Sequence, residues 1–163
     1  ITQSNLSDKS KFPFYSRLTP PPDWQFLALK DTILHYADGR IGWNSVAVIS
    51  TIDDFTVQLS YDFSRVAEPE LKITSYRQYI PFSSLTVTNL EREFTEIKNS
   101  GARVIVAILY AGWDEFIQIA NDIGIVGDHY TWFVPSLVVG LDFQDPAARE
   151  LSRGVIGYFQ FFP

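Results

Sequence analysis

The stretch Gly101-Ala-Arg-Val-Ile-Val-Ala-Ile-Leu-Tyr110 decides the fold that this sequence predicts. Residues 104–109 are all apolar, are rich in β-branched side chains and are too few to cross a membrane, so they predict a strand buried on both faces. A strand of this kind lies in the middle of a sheet. Ligands bind beyond the carboxyl ends of parallel strands, and we therefore expect Tyr110 and Trp113 to stand where a ligand is met.

The segments on either side of this strand alternate between helical and extended patterns, which is how a parallel sheet is connected. Strands are predicted at 45–50, 71–76, 104–109 and 130–134, and helices at 23–36, 55–66, 88–99 and 113–123. A weaker pattern predicts a short helix at 145–153 and an extended segment at 154–162. The sequence thus predicts an α/β fold with a doubly wound, mostly parallel sheet and helices on both faces.

Three local expectations accompany these elements. Thr88-Asn-Leu-Glu91 has the spacing of a capping box, which would start the third helix at Thr88. In the first helix, Phe26 and Tyr36 are expected on one buried face. Residues 71–76 alternate polar and apolar side chains, which predicts a strand near an edge of the sheet.

Composition restricts the class of protein. The chain has 163 residues, about one domain, with 46% hydrophobic and 20% charged residues, as in globular proteins. Its net charge of -6 argues against nucleic acid as a partner. The absence of cysteine excludes thiol catalysis, thiolate metal sites and disulfides, and with two histidines far apart we expect no metal and no cofactor. Because the sequence also has no Met, we interpret it as a piece of a longer protein.

Several short motifs resemble, in this order, the second lobe of extracellular ligand-binding regions with the type I periplasmic-binding-protein fold. That group includes the atrial natriuretic peptide (ANF) receptor family, metabotropic glutamate receptors and GABA-B receptors. The similarity is greatest to class C G-protein-coupled receptors of the GABA-B and metabotropic type. The motifs are Leu6-Ser7-Asp8-Lys9, Phe12-Pro13-Phe14, Gly42-Trp43, Gly101–Val106, Gly124–Gly127, Tyr130–Trp132 and Gly154–Gly157.

The resemblance implies a domain organisation and a function. Residues 1–22 would be the end of the first lobe and the crossover, 23–153 the second lobe, and 154–163 the return crossover. The chain would bind a small molecule, amino-acid-like or another small organic compound, in a cleft shared with the missing first lobe. The parent would be a membrane-anchored receptor on the extracellular side of the plasma membrane, the fragment itself being soluble. Family members often dimerise, so a homodimer or heterodimer is also implied.

The resemblance also assigns ligand-binding positions. Thr2, with Ser4 beside it, matches the rim of the first lobe, where amino-acid-sensing members bind a ligand carboxylate. Tyr110 matches a cleft-facing Tyr of GABA-B receptors. Phe55 falls where metabotropic receptors place a ligand-stacking Tyr, although it can also be the first core residue of its helix.

Three further positions have alternative interpretations. Ser136 and Leu137 stand where amino-acid receptors carry an acidic residue, or GABA-B receptors a Trp, so glutamate-like or GABA-like specificity is not implied. Asp54, with Asp53, suits either ligand or acid–base chemistry or the capping of a helix. Trp113 suits either a ligand contact or a cover over the core.

Two other functions remain open from the sequence. A soluble substrate-binding protein of a transporter would share the fold and the cleft. A small α/β enzyme could use Asp54 and Tyr110, but the sequence shows neither a nucleophile elbow nor a phosphate-binding glycine loop. We therefore expect a binding domain and no enzymatic activity.

Overall fold

The structure is a computed structural model in which residues 4–16, 21–37, 43–135, 138 and 145–158 are described. A short 3-10 helix, Ser4–Ser7, comes first. The helices that follow are α1 Pro22–Ala37, α2 Asp54–Ala67, α3 Thr86–Asn99, α4 Trp113–Ile123 and α5 Pro146–Leu151. The strands are β1 Ser45–Thr51, β2 Lys72–Tyr79, β3 Val104–Ile108, β4 Thr131–Pro135 and β5 Ile156–Tyr158.

The five strands form one sheet in the order β2-β1-β3-β4-β5, and every pair of neighbours in it is parallel. All five residues of β3 are buried, and β3 lies between β1 and β4. The predicted central strand is therefore confirmed. The position of β2 at an edge is also confirmed, although β2 continues to Tyr79. The predicted return crossover contains β5, which pairs with β4 in the same sheet.

Alternate residues of the inner strands face two separate cores, because successive side chains of a strand point to opposite faces of a sheet. Val46 and Val48 of β1 pack with buried residues of α1 and α2. Ala47 and Ile49 pack with α3, α4 and α5 on the other face. The fold is thus an α/β fold with helices on both faces, as the sequence predicts.

The second of these cores is built largely from aromatic rings. The ring centroid of Phe94 lies 4.9 Å from that of Phe116 and 6.1 Å from that of Trp132, both edge-to-face. Edge-to-face contacts of this kind stabilise a core beyond the burial of apolar area. The rings join α3, α4 and β4 into one packed layer.

The capping-box prediction at Thr88 is wrong. Helix α3 begins at Thr86, so Thr88 already lies inside it. The Thr86 hydroxyl accepts a hydrogen bond from the Ser83 N–H at 2.9 Å and lies 3.1 Å from the carbonyl oxygen of Ile80. This hydroxyl ties the preceding loop to the helix, and the residue before Thr86, Leu85, makes no side-chain cap.

The predicted burial of Tyr36 is also wrong. Phe26, Leu29 and Ile33 are buried as predicted, but the Tyr36 side chain is exposed. At 3.6 residues per turn Tyr36 lies on nearly the same side of the helix as Leu29, so its exposure follows from its place in the last turn of α1, one residue before the helix ends at Ala37. Its ring lies 6.4 Å from that of Trp43.

We predict that Phe94→Ala lowers the free energy of unfolding by about 3–5 kcal/mol, because it leaves a cavity among close-packed rings. The exposed ring of Phe14 offers a matched control, since 96% of that residue is accessible to solvent. Phe14→Ala should change the free energy of unfolding by less than about 0.5 kcal/mol. Urea denaturation measures both values, and equal losses in the two variants would contradict this account of the core.

Candidate functional site

The carboxyl ends of β1 and β3 meet at the point where the winding of the sheet reverses. After β1 the chain enters α2 on one face, and after β3 it enters α4 on the opposite face. Connections that leave neighbouring strands on opposite faces open a crevice between them, and in sheets of order 2-1-3-4-5 this crevice is the usual ligand site. The two segments that border it are 52–55 and 109–112.

Two aromatic rings lie against each other across this crevice. The ring centroids of Phe55 and Tyr110 are 5.2 Å apart with an angle of 26° between the ring planes, which is a stacked arrangement. Tyr110 is 38% exposed. Phe55 is half-buried and belongs to neither core, so its interpretation as a core residue is wrong. The structure thus brings together two residues that the sequence analysis named separately.

Asp53 anchors the segment that carries Phe55. Its Oδ1 accepts hydrogen bonds from the backbone N–H groups of Phe55 and Thr56 at 3.1 and 3.0 Å. Its Oδ2 lies 2.5 Å from the Thr51 hydroxyl and 2.6 Å from the Thr56 hydroxyl. Asp53 is therefore the N-cap of α2, which confirms the capping interpretation for this residue.

The Asp53 carboxylate gives the crevice a negative charge. Burial alone would raise the pKa of Asp53, but the hydrogen bonds from Thr51, Thr56 and Phe55 outweigh burial and lower this pKa below its ordinary value. Burial and then the charge of Asp53 raise the pKa of the Tyr110 phenol. Asp53 is thus ionised and Tyr110 neutral at physiological pH.

Trp113 does not line the crevice. It is the first residue of α4 and is 2% exposed, and its indole N–H donates a hydrogen bond to the Ser152 hydroxyl at 2.9 Å. Its ring stacks on Phe116, with centroids 5.5 Å apart. The expectation that Trp113 faces a ligand is corrected: the loop before α4 turns the indole inward, where it covers the core.

Phe82 is a further exposed ring near the crevice, and the sequence analysis does not name it. It is 78% exposed and has a backbone φ of 54°, which residues other than glycine rarely adopt. A Cβ atom built on Gly112 would lie 3.7 Å from Cε1 of Phe82, so this ring lies beside the loop that follows β3. Gly112 itself has a φ of 77°. In the sequence Phe82 is one residue of a Pro- and Ser-containing loop, and no periodic signal distinguishes it.

The remaining predicted positions are placed as follows. Asp54 is exposed at the first turn of α2, next to Phe55. Ser4 begins the 3-10 helix at the start of the described chain. Thr2, Ser136 and Leu137 lie outside the described residues. A ligand-binding role for all of these positions stays a prediction.

The described residues contain no group of three or more His, Cys, Asp and Glu side chains gathered closely enough to ligate a metal ion. None of the helices among them combines the length and the apolar character that a membrane span requires.

A parallel five-stranded sheet with helices on both faces is consistent with one lobe of a type I periplasmic-binding-protein-like domain. The sequence model of the receptor family ligand binding region matches residues 1–163. The chain belongs to this family, whose members are ligand-binding domains. A comparison with curated proteins found no matching sequence.

We predict that Asp53→Asn lowers the free energy of unfolding by about 1–2 kcal/mol at pH 7, because two hydroxyls and two N–H groups lose a charged acceptor. The pKa of Asp53 is lower in the folded state, so its stabilisation is complete above the unfolded-state value of about 4 and is lost as the pH falls through the folded-state value. The difference between wild type and variant should therefore shrink below about pH 4.

Urea denaturation at pH 7, 5, 4 and 3 measures this difference. Asp54→Asn is the matched control, since its exposed carboxylate is the immediate neighbour, and it should change stability little at any of these pH values. A difference between wild type and Asp53→Asn that stays constant from pH 7 to pH 3 would contradict the assigned charge state.

Proposed function

We propose that this chain is the second lobe of a two-lobed sensor, and that it contributes one wall of a cleft in which a small molecule binds. The observation that carries the proposal is the stacked pair Phe55–Tyr110, partly open to solvent at the switch point of the sheet. Membership of the receptor family ligand binding region supports a binding role over catalysis. The parent protein is then a membrane receptor with this region on the extracellular side.

The proposed mechanism is closure of the two lobes around the ligand. The ligand first contacts the other lobe, and rotation of this lobe then adds the contacts of Tyr110 and Phe55. A ligand shifts the equilibrium towards the closed state by no more than its difference in affinity for the closed and open states. A hinge at the two crossovers, near residues 20–22 and 154–157, would absorb the rotation.

The geometry suits this role because the two rings already pack on each other. Asp53 holds the backbone of the first turn of α2, and the ring of Phe55 stacks on that of Tyr110. A side chain that is already ordered loses little conformational entropy on binding. Contacts that form in the closed state alone then contribute fully to the preference for closure.

We predict that, in the full two-lobed ectodomain, Tyr110→Ala raises the dissociation constant of a cleft ligand about tenfold or more, since the ligand loses an aromatic contact and Phe55 loses its stacking partner. The ligand would be found by saturation-transfer NMR with a panel of free amino acids, small amines and small carboxylic acids. Calorimetry on wild type and variant then measures the affinity.

Tyr61→Ala is the matched control, because Tyr61 is an exposed Tyr on the outer side of α2, away from the crevice. It should leave the affinity unchanged. Unchanged affinity in Tyr110→Ala as well would remove the ring pair from the binding site and overturn the proposed site.

A further inference from the structure

We propose that the three rings Phe55, Tyr110 and Phe82 receive an N-alkylated ammonium group, such as a trimethylammonium, at this edge of the sheet. The inference rests on the proposed function of the same site. It names the chemical class of the ligand group that this lobe binds. Tyr110 belongs to the loop that follows β3, and the other two rings border this loop. Phe55 does so through its stack on Tyr110, and Phe82 through its position beside Gly112.

The faces and edges of these rings are the recognition surface that the structure offers here. Phe82 is held out into solvent at a positive φ, and the loop that carries it is tied by the Thr86 hydroxyl. Aromatic rings attract organic cations through the negative potential of the ring face, and groups of rings are the usual receptors for quaternary ammonium. The same rings provide no donor that could bind a carboxylate or phosphate, apart from the Tyr110 hydroxyl.

The charge along this edge excludes an anionic group. The segments that follow β1, β2 and β3, residues 51–58, 80–90 and 109–118, contain Asp53, Asp54, Asp114 and Glu115 and no Lys, Arg or His. These acids stand at helix starts, where they offset the helix dipoles. Arg77 and Arg92, on the adjoining β2 and α3, are both engaged with Glu93.

The engagement of Asp53 favours an alkylated over a primary ammonium. Both of its oxygens already lie within hydrogen-bond distance of two donors each, from Thr51, Phe55 and Thr56. The chain itself already uses most of the roughly four acceptor positions of this carboxylate, so Asp53 contributes chiefly a negative field. A primary ammonium would gain little from it in exchange for its hydrogen bonds to water, whereas a trimethylammonium has none to give up.

Four benzyl compounds separate these alternatives: benzyltrimethylammonium, its neutral isostere neopentylbenzene, benzylammonium and phenylacetate. The readout is the shift of the aromatic resonances of Phe55, Tyr110 and Phe82 in NMR titrations of the full two-lobed ectodomain. We expect benzyltrimethylammonium to shift all three rings and to bind roughly tenfold more tightly than neopentylbenzene and benzylammonium. Phenylacetate should not bind there.

Two variants test the role of the rings. Phe82→Leu and Phe55→Leu keep an apolar side chain but remove the aromatic face, so each should weaken benzyltrimethylammonium at least threefold and leave neopentylbenzene unchanged. Phe14→Leu, at a fully exposed Phe elsewhere, is the control. Thermal unfolding of each variant checks that the fold is retained, and the two variants serve as independent tests.

Three results would overturn the inference: neopentylbenzene as tight as the cation, benzylammonium tighter than benzyltrimethylammonium, or a cation affinity that neither Leu variant changes. If the cation fails while an anionic or neutral compound of the amino-acid and carboxylic-acid panel shifts Tyr110, the inference is wrong and the proposed binding site stands. If no compound of either set shifts these rings, the proposed site is wrong as well.

Discussion

The burial of β3 on both faces is the constraint on which the rest of the structure depends. Every residue of this strand is buried; all five pair with β1, and Val104, Ile105 and Val106 pair with β4 as well. A strand covered on both sides requires helices above and below it, which the chain supplies as α1 and α2 on one face and α3, α4 and α5 on the other. The change of face between α2 and α4 then falls at β1 and β3, the two strands at the centre of the sheet. The crevice is a consequence of covering the core.

The elements that the sequence predicts best are those whose burial is uniform. The bounds of α4 are Trp113–Ile123, as predicted, and β3 ends one residue before the predicted end. A continuous apolar run or a strong helical stripe depends on many residues at once, so one unusual residue does not change the pattern. The capping box at Thr88 failed because it depends on four residues alone, and Thr86 offers a hydroxyl that binds the preceding loop.

The residues of the candidate site show the same difference between what the sequence predicts and what it does not. Tyr110 could be placed at the crevice because the position after a central parallel strand is set by the topology. The burial of the Trp113 side chain could not be predicted from the sequence. It depends on the direction in which the loop turns at Gly112 and on a hydrogen bond to Ser152, far along the chain. Phe82 lies near Gly112 through a tertiary contact and a strained backbone, and neither leaves a trace in local sequence patterns.

Asp53 contributes both to the stability of the lobe and to the charge of the crevice at the carboxyl edge of the sheet. The hydrogen bonds that start α2 also fix the backbone of Phe55, and the ring of Phe55 is thereby held over Tyr110. Because these bonds use most of the acceptor positions of the carboxylate, Asp53 influences the crevice chiefly through its charge. A helix cap in a loop at the carboxyl edge therefore sets both the rigidity and the electrostatic sign of the surface that a ligand meets. Changing this one residue would alter folding and recognition together, whereas changing the rings would alter recognition with little effect on the core, since Phe55 and Tyr110 lie outside both clusters.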